Sequence, residues 1–144
     1  MFGVAYLPDG GSIVSGADEN IYVWDVKSGK LSKKIKAHPM SCVCCIALSP
    51  DGRFVVSGSV NKNICLWDVE SGNLMKKFEG HLIDVRGVAY SPDGCLISSV
   101  SGDKSVRLWN VESGKLLKLF QGHSDWVCGV EYSPVGRSIV FWII

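Results

Sequence analysis

The chain has 144 residues, of which 47% are hydrophobic and 20% charged, and its formal net charge is +1. That balance suits a folded globular unit and excludes an intrinsically disordered chain. A charge so close to zero supplies no global field for nucleic acid or an anionic membrane surface, and no apolar run approaches the roughly 20 residues of a membrane-spanning helix.

Met1 to Tyr6 carries no basic residue and reaches Pro8-Asp9-Gly10 at once, which argues against a secretory signal. The first predicted unit covers residues 1–37. Its Leu7-Pro8-Asp9-Gly10 is turn chemistry, because Pro presets φ and Gly accepts positive φ. Trp24-Asp25 leads into a second turn, Asp25-Val26-Lys27-Ser28-Gly29, and a basic run follows through Lys27, Lys30, Lys33, Lys34 and Lys36. Lysines on an edge strand block unwanted sheet pairing. That reading is preferred to a nucleic-acid or phospholipid patch.

The second unit covers residues 38–80 and repeats the order: His38, the turn Ser49-Pro50-Asp51-Gly52, Trp67-Asp68, the turn Asp68 to Gly72, and Lys76-Lys77. Cys42, Cys44, Cys45 and Cys65 fall here, with Cys95 and Cys128 further on. Cys42 and Cys45 form a lone Cys-x-x-Cys pair with no second pair to complete a ligand set, so no zinc site is expected. The cysteines read as free, buried thiols in a reducing compartment, cytosol or nucleus. No phosphate-cradling glycine motif is present, and no cofactor is expected.

The third unit, residues 81–122, shows the plan most clearly. Val85, Val88 and Tyr90 precede the turn Ser91-Pro92-Asp93-Gly94, and Cys95 to Ser99 make a short apolar run. Gly102-Asp103-Lys104 turns the chain into Ser105-Val106-Arg107-Leu108-Trp109, which alternates with the period of a half-buried strand. Val111 to Gly114 turns again before a last run with Lys115 and Lys118. Four strands of about 5–6 residues fill the unit. The fourth unit, residues 123–144, starts at His123, passes Trp126 and Ser133-Pro134-Val135-Gly136, and ends in Phe141-Trp142-Ile143-Ile144.

The histidines keep one phase: His38 to His81 is 43 residues and His81 to His123 is 42. A fixed period of this size means one structural unit stacked repeatedly. Each unit reads as a four-stranded antiparallel meander that cannot bury both faces alone, so its neighbours must cover it.

Gly80-His81, Gly122-His123 and Ala37-His38, in register with Trp24-Asp25, Trp67-Asp68 and Trp109-Asn110, closely resemble the WD-repeat, or beta-transducin-like, β-propeller family. The resemblance covers essentially the whole chain. It implies an all-β fold: a partial propeller of about three and a half four-stranded antiparallel blades, short of the typical four to eight. It also implies a buried hydrogen-bonded tetrad in each blade: His81, Ser99, Asp103 and Trp109 in the third, and His38, Ser57, Asn61 and Trp67 in the second. Asn61 stands where the family carries Asp, so that blade is expected to be weaker. The first unit offers Ser15, Asp18 and Trp24, its histidine falling before Met1. His81, Ser99 and Asp103 imitate a hydrolase triad, but a recurring cluster reads as structural rather than catalytic.

The resemblance implies non-enzymatic binding of proteins or peptides by loops on a rigid scaffold. Trp126 falls off the tetrad phase, in the loop that opens on the family's partner-binding face, and matches Asp84 of the previous unit. Trp126 and Arg86, with Asp84 and Asp125 nearby, are the interface candidates, because Trp and Arg favour hot spots. The incomplete fourth unit, with Phe141-Trp142 where Ser57-Gly58 stood, is open to three explanations: a fragment of a longer propeller, a ring completed by a further chain, or an open arc with exposed edges. The apolar end from Phe141 to Ile144 needs cover.

Overall fold

The computed structural model describes residues 3–143, so Met1, Phe2 and Ile144 lie outside it. The described residues form strands and turns, with no helix. The first sheet is β1 (Val4–Tyr6), β2 (Ser12–Ala17), β3 (Asn20–Asp25) and β4 (Leu31–Lys36). The second is β5 (Val43–Leu48), β6 (Phe54–Ser59), β7 (Ile64–Asp68) and β8 (Leu74–Phe78). The third is β9 (Val85–Tyr90), β10 (Leu96–Ser101), β11 (Val106–Asn110) and β12 (Leu116–Phe120). A fourth sheet has two strands, β13 (Val127–Tyr132) and β14 (Ile139–Ile143). Each sheet is an antiparallel meander in chain order.

Local chemistry sets the turns. In Ser91-Pro92-Asp93-Gly94 the Gly94 amide donates to the Ser91 carbonyl, and Gly94 takes a φ of 73° that a side chain would strain. Asp93 accepts from the Ser91 hydroxyl at 2.5 Å and from the Cys95 amide at 2.9 Å, which holds its carboxyl below the usual range. The acid or amide after each Trp does similar work. Asp25, Asp68 and Asn110 accept the amides of Ser28, Ser71 and Ser113 at 2.7, 2.8 and 2.7 Å. One side-chain oxygen suffices for this cap, so Asn110 serves as well as an acid.

The sheets stack face to face through three apolar cores. Val14, Ile21, Val23 and Ile35 meet Val43, Val55, Cys65 and Trp67. Val56, Ile64, Leu66 and Phe78 meet Val85, Ile97 and Trp109. Val100 and Val106 meet Val127 and Val130, with Phe141 packed alongside. The inner strands β5, β9 and β13 lie side by side, so the sheets fan around them as an open arc. The lysines of the outer strands also join sheets: Lys33 Nζ donates to the Val69 carbonyl at 3.2 Å, and Lys76 Nζ to the Val111 carbonyl at 2.9 Å.

The cysteine expectation needs correction. Cys45, Cys65 and Cys128 are buried and Cys44 half-buried, but Cys42 and Cys95 are exposed, because they sit in turns where no sheet covers them. Burial pushes the Cys65 thiol up to about 11.

Candidate functional site

The third sheet brings its four expected residues together. Trp109 Nε1 donates to Ser99 Oγ at 2.9 Å, Ser99 Oγ lies 2.7 Å from His81 Nε2, and His81 Nδ1 lies 2.9 Å from Asp103 Oδ2. A neutral imidazole protonated on Nδ1 satisfies this chain, donating to Asp103 and accepting the Ser99 hydroxyl proton. Asp103 also accepts the Leu82 amide and the Ser105 hydroxyl, at 2.9 and 2.5 Å. Burial raises the Asp103 pKa, but the bonds from Ser105, Leu82 and His81 outweigh it and bring the value to about 2. Burial lowers His81, opposed by Asp103. The spacing matches a hydrolase triad, yet Ser99 is fully buried and its oxygen is occupied by the indole donor. A nucleophile must be reachable by substrate, and this hydroxyl is not.

The second sheet assembles three members. His38 Nε2 lies 2.8 Å from Ser57 Oγ, which accepts Trp67 Nε1 at 3.0 Å. Asn61 stays out of the network: its Oδ1 accepts the Asn63 amide at 3.1 Å within its own turn. Without a carboxylate partner, burial holds His38 down at about 4, with Lys77 adding to the effect. In the first sheet Trp24 Nε1 donates to Ser15 Oγ at 3.0 Å, but Asp18 does not join. The turn there has two residues, Asp18 and Glu19, between the paired Ala17 and Asn20, and Asp18 is exposed with a φ of 50°. In the fourth sheet Phe141 replaces the serine, and His123 packs edge-on against its ring at 4.9 Å.

The loops that display side chains lie at the end of the arc where β4 runs into β5, β8 into β9 and β12 into β13. Arg86 follows Val85 at a register shift in β9, and Cys44 and Cys128 take the same bulged place in β5 and β13. Such bulges re-aim one side chain. Here the bulge turns Arg86 toward Trp126, with the guanidinium carbon 4.2 Å from the ring centroid. Arg86 Nε also lies 2.9 Å from Asp84 Oδ2. Gly102 backs this pair: a Cβ there would come within 2.8 Å of Asp84 Oδ1. Asp125 points its Oδ1 to the Trp126 amide at 2.8 Å, fixing the loop.

The indole of Trp126 stays 47% exposed, and Met40, Leu82 and Ile83 are exposed on loops of the same end. These three were not singled out from sequence, where an apolar residue in a loop carries no periodic signal. Cys44, Arg86 and Cys128 line an open groove of about 390 Å3 on the inner face of the arc. Among the described residues no group of three or more His, Cys, Asp or Glu gathers to hold a metal.

The family profile of the WD domain, G-beta repeat, matches residues 2–25, 29–68, 72–110 and 114–140. The first three matches end at or just beyond the Trp-bearing strand, so a sequence repeat takes its outer strand from one sheet and its inner strands from the next. The structure of U3-55K superposes with a TM-score of 0.84 at 32% identity, covering 89% of this chain and 41% of that one. The RRP9 WD40 repeats superpose equally well, with 40% of that chain covered. Among curated proteins, the intraflagellar transport protein 122 homolog of Danio rerio is 32% identical over 62 residues, which are 43% of this chain and 5% of the relative. A putative BTB/POZ domain and WD-repeat protein of Acanthamoeba polyphaga mimivirus is 40% identical over 55 residues, 37% of this chain and 10% of the relative. The chain thus spans a small part of these curated relatives and about two fifths of the solved neighbours. The matched repeats, the three networks around Trp24, Trp67 and Trp109, and the fanned four-stranded sheets agree: the chain belongs to the WD40 repeat family.

Proposed function

We propose that the chain is a non-enzymatic protein-interaction module, working in the cytosol or nucleus, that captures a peptide or loop of a partner on the face carrying Arg86 and Trp126. The observation that supports this most is Trp126, half exposed yet locked over Arg86 by a cation–π contact at 4.2 Å. Such an anchor loses little conformational freedom on binding. Because Asp84 already neutralises Arg86, the partner chemistry is apolar: side chains that pack on Trp126, Leu82, Ile83 and Met40.

Selection of binders from a displayed peptide library on the intact chain tests the reading. Selected peptides are expected to lose at least tenfold in affinity on Trp126→Ala and Arg86→Ala chains that melt like the parent. Peptides that bind all three chains equally would remove it.

A second reading is an accessory region of a larger signalling or enzyme chain, supported by the small share of the curated relatives that this chain covers. The complete open reading frame decides it, by showing a flanking catalytic domain or only further repeats. RNA binding through the lysine run ranks lower, since Lys33 of that run is engaged with the Val69 carbonyl. It requires a steep fall of affinity with salt.

A further inference from the structure

Of the four arginines in the chain, Arg53 pairs with Asp68 and Arg86 with Asp84, while Arg137 stands exposed in a turn. Arg107 differs from all three. It is half-buried on β11, its Nε is enclosed without a hydrogen-bond partner, and no carboxylate pairs with it among the described residues. An enclosed N–H without an acceptor is costly, so such a group in a folded chain calls for a partner. Gly80, in the loop after β8, makes room for the guanidinium: a Cβ there would collide with Arg107 Nη1.

The repeat shows what changed at this place. Arg107 pairs in register with Leu119, as Cys65 does with Lys77 and Tyr22 with Lys34. In the first two sheets the outer residue is a lysine: Lys34 lies over the Tyr22 ring at 5.6 Å, and Lys77 pairs with Glu79 at 2.7 Å. In the third sheet the cation has moved one strand inward and a leucine takes the outer place. Leu119 is 42% exposed and Leu117, two residues before it on β12, is 51% exposed. Alternate residues of a strand share a face, and this face is the one that Trp109 turns toward the complete second sheet. It is not the face of Phe120 and Lys118.

We propose that Arg107, Leu117 and Leu119 form a docking site for a short segment of a partner protein that carries one carboxylate side chain between aliphatic residues. A guanidinium and a carboxylate join through charge-assisted hydrogen bonds, which strengthen where water is partly excluded. The aliphatic neighbours of the carboxylate cover the two exposed leucines. A carboxylate fits better than a phosphate. Arg107 offers one positive charge, and the lysines on the facing strand are engaged, Lys77 with Glu79 and Lys76 with the Val111 carbonyl. A phosphorylated side chain carries a charge of about −1.5 to −2 and would stay underpaired there. The site lies on other strands than Arg86 and Trp126 and does not depend on that reading.

The test titrates the isotope-labelled 144-residue chain with the peptide acetyl-Ser-Leu-Ser-Glu-Ser-Leu-Ser-amide and follows the Arg107 Nε–H and leucine methyl resonances. Alternation puts the glutamate and both leucines on one face of the extended peptide. The expected result is a saturable shift at Arg107, Leu117 and Leu119. Replacing the glutamate with glutamine should weaken binding at least tenfold, and replacing it with phosphoserine should not tighten it. Arg107→Gln and Leu119→Lys should each cost at least tenfold, the second restoring the lysine that the first two sheets carry there, and Trp126→Ala should leave binding unchanged. No shift at Arg107, equal binding by the glutamine peptide, or tighter binding by the phosphoserine peptide would overturn the proposal. So would shifts confined to the loops around Leu82 and Trp126, which would leave the earlier reading standing. The glutamine and phosphoserine peptides need no chain variant, so the test stands even if Arg107→Gln disturbs folding.

Discussion

The junction between the second and third sheets and that between the third and fourth are made from the same repeat, yet they differ at every layer. In the first, Phe78 is 1% exposed against Trp109, Lys76 holds the Val111 carbonyl, and Ser99 completes a network with His81. In the second, the matching Phe120 is 40% exposed, Lys118 is exposed, and Phe141 meets His123 through ring edges alone. A residue's worth in this fold is thus set by the next sheet rather than by its own strand. Trp24 teaches the same at the other end: among the described residues no sheet covers it, and the indole is 36% exposed despite its bond to Ser15.

Truncating the two phenylalanines is the largest way to break that comparison. Phe78→Ala should cost about 3–5 kcal/mol, the range for emptying an aromatic site in a core, while Phe120→Ala should change stability by no more than about 0.5 kcal/mol. Urea midpoints of the two variants measure it directly. Equal losses would mean that the open end is covered in solution.

The acid of the third sheet comes next. Asp103→Ala leaves His81 Nδ1, the Leu82 amide and Ser105 without their acceptor. The expected cost is about 3 kcal/mol, because buried groups freed from a charged partner lose their full desolvation. Asp18→Ala, on an exposed turn, should shift stability by no more than about 0.5 kcal/mol. A matched pair of midpoints would show that the Asp103 network adds nothing net.

Much of this was legible in the sequence, because turns and strands here are local. The phase of His81, Ser99, Asp103 and Trp109 follows from the repeat alone, and the four side chains lie within hydrogen-bond reach. Asp18 misleads because Ser15 and Trp24 are nine positions apart in the first sheet, where Ser99 and Trp109 are ten apart in the third, and the shorter turn swings the acid outward. Arg86 was legible as a residue but not as a geometry. Its bulge and its pairing with Asp84 and Trp126 come from contacts between sheets, which no single repeat encodes.

Acid offers a third probe. His38 and His81 both have folded pKa values below the usual 6.5, chiefly through burial, and His38 falls to about 4. A depressed histidine favours the neutral form in the fold, so between about pH 6.5 and pH 4 the unfolded chain binds more protons, and stability falls as pH falls across that window. The carboxylates Asp51, Asp93 and Asp103, lowered from 3.8, add their loss only below it. The midpoint should therefore decline in two stages, and His38→Gln should flatten the upper one. An unchanged upper slope in that variant would show that His38 titrates normally.

The smallest effect sharpens the contrast between neighbouring networks. Asn61→Asp puts a carboxylate where Asp103 stands one repeat later, opposite His38 Nδ1. A charge-assisted bond to a buried imidazole should add about 1 kcal/mol at neutral pH, after the desolvation of the acid is offset. The same change should raise the His38 pKa from about 4, which chemical-shift titration of the imidazole reads directly. If the midpoint and the titration both stay put, the missing element is the hydroxyl rather than the acid: Ser105 Oγ holds Asp103 Oδ1 at 2.5 Å, and Asn63 stands in its place. The double change Asn61→Asp with Asn63→Ser then supplies both groups, and a gain in the double variant alone would show that the turn must grip the acid before the histidine can use it.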